Sequence, residues 1–509
     1  MEGKKIISCL GWEAGLFLFY IFFWKIGIKP LIPEQDMVIV RNVFLILVIL
    51  SLFLLFLLEV CRWKKSRREI RFFLMLFIFG LMYQLVLPAF SAPDEDTHFT
   101  SAYRLSNQMM FQKDTDDEGY TRMRKEDSKG QVYTFGEKEF TAHYRKLFLP
   151  AKEGKTVSYT RRKSEQTVPF VVYLAPACGI TIARLLHWNG KWTAFLGRIC
   201  CLILFALLAV VSYRLLPFAH QSVVVLCTMP MTVSLFSSFS YDGINLALIL
   251  LFFSLLMNCV FVREKVTWKE IAVLGITAVC FVPIKMVYFP FLWLVFLIPL
   301  CKFKNKIIGW LTYAALNLLP LMESFLLKSS KISFIAAGTT NLTANDGYTF
   351  LYVLQHPLKV IKFISFSVFF KNGDEIIEGF AGRSLGWLDT KIPRYLAYSF
   401  LFLLLLEILS EECRVFFVKW QKILVAAAVL VSVGLPVLIM FLAETERSDS
   451  ILACVQGRYF IPVVLFFLIL FQNKKFVQQK KEDDMQLERL LVYLNSLSVI
   501  MVLHSVMGR

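Results

Sequence analysis

The feature that most constrains this chain is a series of apolar runs, each close to the length that crosses a lipid bilayer. A helix of ~20 apolar residues spans the hydrocarbon core, and such runs recur along most of the 509 residues. Hydrophobic side chains make up 57% of the chain and charged ones only 18%, whereas a soluble globular protein is about a quarter charged. The sequence therefore predicts a multi-pass membrane protein and excludes a cytosolic enzyme, a disordered chain and a coiled coil.

We predict an all-α fold with about thirteen membrane-crossing helices. Their expected positions are 6–24, 40–61, 72–91, 194–213, 221–238, 243–262, 270–287, 289–301, 306–326, 395–411, 422–442, 459–472 and 490–506. The first run lacks the small-residue cleavage site of a signal peptide, so we expect it to be retained. The cysteines form no CxxC pair or Cys/His cluster, so neither a zinc site nor a disulfide framework is indicated.

Basic residues predict the orientation, because Lys and Arg concentrate in cytoplasmic loops. The clearest such loop lies between the second and third spans and has only Glu69 against it; its basic residues are Arg62, Lys64, Lys65, Arg67, Arg68 and Arg71. This places the N-terminus inside and the segment after residue 91 outside. The net charge of +17 is then an orientation signal, and no nucleic-acid partner is expected.

We divide the chain into three parts: two additional N-terminal helices (1–69), a transmembrane core (70–472), and a cytoplasmic linker with a C-terminal helix (473–509). The core has two long outer loops, 92–193 and 327–394.

Each outer loop contains an apolar stretch that is hard to assign. Residues 168–186 are interpreted as a helix lying on the outer surface, because counting them as a span would put Arg263, Lys265 and Lys269 outside. Residues 351–370 are expected to be re-entrant or surface-lying. The polar part of the first loop, 92–167, has fourteen basic and thirteen acidic residues, and long loops do not follow the basic-residue rule.

A short acidic segment directly follows the third predicted span. Asp94 and His98 lie four residues apart, with Glu95 beside Asp94, after Pro93, which favours the start of a helix. Paired carboxylates suit general-base catalysis or a divalent cation, and an acidic first turn can equally serve only the helix N-terminus. We predict Asp94 and Glu95 as catalytic residues. A cation such as Mg²⁺ or Mn²⁺ is left open, with these two carboxylates as its candidate ligands.

Further ionisable residues lie near the predicted outer ends of the spans, where charged groups mark functional sites. Arg198 and Arg458 place guanidinium groups at a membrane interface, where they bind phosphate or act as anchors. Lys285 lies between prolines in apolar surroundings, or extends to the surface. Asp242 belongs to a Ser-Tyr-Asp-Gly segment that also suits a tight turn.

The other residues predicted to bind substrate are His98, Tyr103, Tyr288, Trp387, Asp389 and Gln456. Trp387 suits stacking on a sugar, and it equally suits the anchoring of a loop at the interface.

These motifs, in this order, resemble a family of predicted bacterial membrane proteins, the domain-of-unknown-function family 2142. The resemblance covers roughly 70–470. It rests on Pro93-Asp94-Glu95 with His98 and Phe99, Tyr173 and Pro176 before Gly197-Arg198, Ser240-Tyr241-Asp242-Gly243, Lys285 with Tyr288, His356-Pro357, Leu385-Gly386-Trp387-Leu388-Asp389, and Val455-Gln456-Gly457-Arg458-Tyr459-Phe460.

This family in turn resembles the GT-C superfamily of polytopic glycosyltransferases. The resemblance implies a GT-C-like fold and sugar transfer from a polyprenyl-phosphate donor to a cell-envelope acceptor at the extracytoplasmic face of the cell membrane. It maps the acidic pair of the superfamily onto Asp94 and Glu95, and the cations that hold the lipid phosphate onto Arg198, Lys285 or Arg458. The acidic loop of the superfamily follows the first span and here follows the third, which keeps it on the same side.

The leading hypothesis is thus an inverting glycosyltransferase with Asp94 as base and Glu95 or His98 orienting it. A transporter or flippase for a lipid-linked glycan is the alternative; it would predict internal repeats and binding groups near the bilayer midplane. A non-catalytic assembly factor for envelope polymers is a third hypothesis, under which Asp94 and Arg458 could be replaced without loss.

Overall fold

A computed structural model describes residues 2–64, 66–128, 135–150, 156–158, 168–336, 347–410, 417–471 and 485–509. The predicted linker 473–484, with its four lysines, lies outside the described residues, as do parts of both predicted outer loops and the basic residue Arg414.

Helices make up 76% of the structure. The first are α1 (Glu2–Phe23), α2 (Met37–Trp63), α3 (Arg68–Val86), α4 (Glu95–Met109), α5 (Glu137–Leu147), α6 (Leu174–Leu185) and α7 (Gly190–Leu215). Next come α8 (His220–Thr228), α9 (Pro230–Phe236), α10 (Tyr241–Phe261), α11 (Trp268–Ile284), α12 (Lys306–Ala336), α13 (Phe350–Gln355) and α14 (Pro357–Phe366). The last are α15 (Gly373–Ala381), α16 (Arg394–Ser410), α17 (Lys419–Ala443), α18 (Val464–Leu470) and α19 (Met485–Met507).

Shorter helical turns and two small sheets complete the described structure. The 3-10 turns are Lys29–Leu31, Glu34–Asp36, Phe170–Tyr173, Met286–Leu297, Leu300–Lys302 and Gly457–Phe460, and the π turns are Trp24–Ile28 and Ser367–Lys371. Strand β1 (Arg122–Arg124) pairs antiparallel with β2 (Thr156–Ser158), with Met123 opposite Val157. Strand β3 (Ser384–Leu385) pairs antiparallel with β4 (Thr390–Lys391).

Among the described residues, eight helices are long and apolar enough to cross a membrane. They are Leu10–Leu31, Glu34–Trp63, Arg68–Val86, Gly190–Leu215, Tyr241–Phe261, Lys306–Leu327, Lys419–Ala443 and Met485–Met507. Each coincides with one of the predicted spans, so the prediction of an all-α multi-pass membrane protein is confirmed.

The other five predicted spans correspond to shorter or interrupted helices, so the total of thirteen crossings stays a prediction. Residues 221–238 divide into α8 and α9 because Pro230 cannot continue the hydrogen bonding of α8. Residues 289–301 lie largely in the 3-10 segment that contains Pro290. The remaining three correspond to α11, α16 and α18.

The predicted surface helix at 168–186 is a 3-10 turn followed by α6, which has 12 residues. The 3-10 turn leads directly into α6, and together they are about 26 Å long, still shorter than the ~30 Å hydrocarbon core. It packs closely on α7, because a Cβ on Gly179 would lie only 2.8 Å from Cα of Gly197.

The C-terminal helix packs against the N-terminal helices through buried ion pairs. Arg71 on α3 donates from Nε to both carboxylate oxygens of Glu488, each at 2.9 Å, and Arg489 pairs with Glu59 on α2. All four side chains are at most 10% exposed. The additional helices predicted at the two ends of the chain therefore meet in space.

Lys302 caps the end of α10 that lies opposite Asp242. Its ammonium group donates to the carbonyls of Cys259, Val260 and Arg263 at 3.1, 2.7 and 2.7 Å, where the helix dipole favours a cation. We expect Lys302→Met to lower the free energy of unfolding by about 1–2 kcal/mol, measured as a lower melting temperature in detergent. Lys304→Met, at an exposed neighbouring position, should melt like the wild type; equal melting of both variants would contradict the capping role.

Candidate functional site

The acidic segment forms a tight turn between α3 and α4. Phe90 and Asp94 have left-handed backbone conformations, with φ of 73° and 57°, and α4 begins at Glu95. The backbone carbonyl of Asp94 accepts hydrogen bonds from the amides of Thr97 and His98 at 3.0 and 3.2 Å. This conformation separates the two predicted catalytic carboxylates, because the Asp94 side chain is exposed whereas Glu95 is 1% exposed.

The carboxylate of Glu95 holds this turn together. Oε2 accepts hydrogen bonds from the backbone N–H groups of Phe90 (2.7 Å) and Ala92 (3.3 Å), and Oε1 accepts one from Phe239 (3.1 Å). A left-handed conformation is strained for a bulky residue such as Phe90, and its bond to Glu95 stabilises it. Both Glu95 oxygens are engaged by the protein, which favours a positioning role; its catalytic role stays a prediction.

Arg198, on α7, also helps to hold the acidic turn in place. Its Nε donates to the carbonyl of Ser237 at 2.6 Å and its Nη1 to the carbonyl of Leu87 at 2.8 Å, and Nε lies 3.5 Å from Glu95 Oε1. The residue is 2% exposed. The guanidinium therefore joins the end of α3 to the segment before α10, and its predicted contact with a phosphate stays a prediction.

Three charged side chains from distant parts of the sequence meet where helices begin or end. Asp242 lies in the first turn of α10, Lys285 follows the last residue of α11, and Arg458 lies in the 3-10 turn before α18. Lys285 Nζ is 2.5 Å from Asp242 Oδ1, and Arg458 Nε is 3.7 Å from Asp242 Oδ2. We call Asp242, Lys285 and Arg458 the charged cluster; all three side chains are at most 17% exposed.

Aromatic rings surround the ammonium group of Lys285. Its Nζ lies 4.6 Å from the ring centroid of Tyr459 and 5.6 Å from that of Tyr241, within the range of cation–π attraction. His98 packs edge-on against Tyr241, with centroids 4.5 Å apart, and its Nδ1 is 3.1 Å from the hydroxyl of Tyr173. The rings thus connect α4 to the charged cluster.

Asp94, in the acidic turn, and His98, on α4, lie within electrostatic range of the charged cluster. Asp94 is close enough to act electrostatically on Lys285, and His98 on Asp242. Five residues from four separate parts of the sequence, all predicted on the outer side, therefore lie in one region. The region combines two cations, which can bind an anion, with an exposed carboxylate, which can accept a proton.

A small cavity lies beside the charged cluster. Its polar lining residues are Asp242, Asn245, Tyr288 and Arg458, and the hydroxyl of Tyr288 donates to the carbonyl of Tyr459 at 3.0 Å. Asn245 is 1% exposed, and its Oδ1 has no hydrogen-bond partner among the described residues. Sequence reasoning missed Asn245; the available signal was an amide three residues after Asp242 within an apolar span.

Two further residues predicted to bind substrate, Tyr103 and Gln456, lie in surroundings that differ from those of the charged cluster. Tyr103 is fully buried, donates to Asp127 Oδ2 at 2.7 Å and lies beneath the guanidinium of Arg184, so it belongs to the packing of α4. Gln456 precedes the turn that carries Arg458, and its buried Oε1 has no hydrogen-bond partner in the part of the chain that the structure describes.

Trp387 and Asp389 lie in the β3–β4 hairpin, next to the acidic turn. A Cβ on Gly386 would lie 3.2 Å from the carbonyl of Ser91, which shows how closely the hairpin approaches the turn. Asp389 forms an ion pair with Arg509 after α19. The structure thus brings the residue before Trp387 close to Ser91 at the acidic turn and pairs Asp389 with Arg509.

The donor set at Asp94 and Glu95 does not fit a divalent cation. The Glu95 oxygens accept bonds from three amides and face Arg198, so they are not free to act as hard ligands. The described residues contain no group of three or more His, Cys, Asp or Glu side chains that could hold a metal.

Comparison with models of protein families shows which family the chain matches. Residues 76–467, well over half of its length, match the family described as "Predicted membrane protein (DUF2142)". The chain belongs to this family. The family resemblance found in the sequence is thereby confirmed. No curated protein and no solved structure matches the chain.

The DUF2142 region contains the acidic turn and the whole charged cluster, whereas α1, α2 and α19 lie outside it. Those three helices contact one another; Tyr20 bonds Ser51 at 2.6 Å, and Ser496 bonds Ser51 at 3.0 Å. They form an additional group of helices, of which α2 and α19 pack against α3.

Proposed function

We propose that this DUF2142 protein is a GT-C-type glycosyltransferase. It would transfer a sugar from a polyprenyl-phosphate donor to a cell-envelope acceptor at the extracytoplasmic face of the cell membrane, with its N-terminus inside. The observation that carries the proposal is the meeting of Lys285 and Arg458 at Asp242, with Asp94 within electrostatic range of Lys285. A membrane protein with two cations and an exposed carboxylate at helix ends suits a lipid-linked anionic donor.

Lys285 and Arg458 bind the donor phosphate in this proposal. Both groups are largely buried, so their attraction for an anion is less screened than in water. Asp242 keeps them together and compensates part of their charge when no donor is bound. As the donor bond breaks, the leaving phosphate gains negative charge, and positioned cations stabilise that charge in the transition state.

Asp94 acts as the base in the same step. A new bond forms between the acceptor oxygen and the anomeric carbon as the bond from that carbon to the phosphate oxygen breaks. The hydroxyl proton passes to Asp94, and polyprenyl phosphate leaves with one additional negative charge. Attack from the side opposite the phosphate inverts the anomeric centre. His98, bonded to Tyr173, lies beside this path.

The position of the charged cluster supports transfer over transport. Transporters bind their substrates near the bilayer midplane, at broken helices related by internal repeats. Here the charged cluster lies at the ends of α10 and α11, where a membrane-bound donor and a cell-envelope acceptor can meet.

Lys285→Met tests the phosphate site directly. We expect the Kd for polyprenyl phosphate to rise about 10- to 100-fold, because a charge-assisted hydrogen bond is worth about 1.5–3 kcal/mol and Asp242 becomes less compensated. Binding is measured by native mass spectrometry of the detergent-solubilised protein, with Arg458→Gln as a second variant.

Lys138→Met is the matched control, because Lys138 is exposed on α5 and should bind like the wild type. Unchanged affinity in both folded Lys285 and Arg458 variants would refute the phosphate site.

A further inference from the structure

A segment next to the charged cluster has the character of a membrane-surface element. It consists of α13, α14 and the π turn Ser367–Lys371, and we call residues 350–371 the amphipathic segment. α14 (10 residues) continues without a break into the π turn (5 residues), which gives about 22 Å of helix, less than the ~30 Å of the hydrocarbon core. It therefore cannot cross the membrane as a helix.

One face of the amphipathic segment is fixed to the protein. Val360 is 4% exposed and packs with Phe441 near the end of α17, and the ring of Phe363 lies 5.7 Å from that of Phe441. Ser367 Oγ accepts a hydrogen bond from the amide of Leu452 at 3.0 Å. The segment is thus a packed element with a defined orientation.

The opposite face exposes large apolar side chains at helical spacing. The most exposed are Leu351 (60%), Leu354 (62%), Leu358 (81%), Ile361 (59%), Phe369 (76%) and Phe370 (77%). Leu351 and Leu354 on α13, and Leu358 and Ile361 on α14, lie three residues apart, which gives each helix its own apolar stripe. An apolar stripe of this kind on an element too short to span indicates contact with the lipid interface.

The charges beside this stripe are all positive. Lys359, Lys362 and Lys371 are exposed, and no Asp or Glu occurs between residues 347 and 373. Lysine stems lie along apolar surface while their ammonium groups reach the headgroups. Each lysine near an anionic membrane surface strengthens the binding of the segment to that surface about fivefold.

The segment lies on the same side of the protein as Arg458. Asn372, which follows the π turn, donates to the carbonyl of Leu452 at 2.9 Å, and α15 begins at the next residue and packs against Gly457. The segment therefore lies beside α15, the helix that supports Arg458.

We propose that residues 350–371 lie in the headgroup region of the leaflet next to the charged cluster and bind anionic phospholipids through Lys359, Lys362 and Lys371. The occupant is the bulk anionic lipid, such as phosphatidylglycerol. This proposal concerns lipid binding and does not depend on the transferase activity.

The test uses the full-length protein in phosphatidylcholine nanodiscs that contain a trace of photoactivatable phosphatidylglycerol or phosphatidylcholine, each with its diazirine at the headgroup end of the acyl chain. Cross-links are located by mass spectrometry. We expect labelling within 350–371 to be at least about tenfold stronger with phosphatidylglycerol. The triple variant Lys359→Gln, Lys362→Gln, Lys371→Gln should lower that ratio to near one.

A matched triple variant, Lys113→Gln, Lys125→Gln, Lys138→Gln, removes three exposed lysines elsewhere and should keep the wild-type ratio. A ratio near one in the wild type would overturn the proposal, and so would the absence of label from 350–371. Loss of the label on adding a few molecules of polyprenyl phosphate per protein would identify the lipid carrier as the occupant and also overturn it.

Discussion

Asp94→Asn is expected to slow sugar transfer by about 10²- to 10⁴-fold while leaving the protein folded. The amide cannot take the proton of the acceptor hydroxyl, so the proposed step loses its base. Asparagine keeps the shape of the side chain and tolerates the left-handed conformation at φ 57°. The measurement is the release of polyprenyl phosphate from polyprenyl-phosphate hexoses in proteoliposomes, with cell-envelope extract as the source of acceptor.

Asp117→Asn is the control, because Asp117 lies in the same loop with its side chain 98% exposed and should leave transfer unchanged. Glu95→Gln should instead lower the melting temperature, since Glu95 accepts bonds from three amides. Undiminished transfer by Asp94→Asn would remove Asp94 as the base. If Lys285→Met still lost affinity for polyprenyl phosphate, the phosphate site would stand and another group would have to act as the base.

The membrane-crossing helices were predictable because the apolar character of a long run is local to the sequence. The runs at 40–61 and 243–262 correspond to the crossing helices α2 and α10. The interruptions were harder to predict. Pro230 divides one run into α8 and α9. Pro320 and Pro436, by contrast, lie inside continuous helices, so a proline in the sequence does not by itself tell which run is interrupted.

The site could be predicted only in part. The rule for basic loops placed Asp94, Asp242, Lys285 and Arg458 on one side, but it contains no information about which of them touch. The contact between Asp242 and Lys285 depends on the packing of α10 against α11, which hydrophobic periodicity does not give. The different environments of Asp94 and Glu95 depend on a left-handed turn that adjacent carboxylates in a sequence cannot reveal.

The position of Arg458 depends on a close approach of two backbones at Gly457. A Cβ at Gly457 would overlap the carbonyl oxygen of Ile376 and the amide nitrogen of Phe380, and it would lie 2.7 Å from the carbonyl carbon of Gly379. These are backbone atoms of α15, which cannot move aside as a flexible side chain can. We expect Gly457→Ala to lower the free energy of unfolding by about 1–3 kcal/mol and to weaken the binding of polyprenyl phosphate, because Arg458 shifts away from Asp242.

Gly379→Ala is a matched control on the same contact. Its Cβ would meet the Gly457 nitrogen at 3.5 Å, an ordinary contact distance, and alanine favours the helix by up to about 1 kcal/mol. This variant should therefore melt at or above the wild-type temperature and bind polyprenyl phosphate normally. Melting curves and binding by native mass spectrometry separate the two variants. Normal phosphate binding by a destabilised Gly457→Ala would show that the ion pair with Asp242 holds Arg458 without the support of α15.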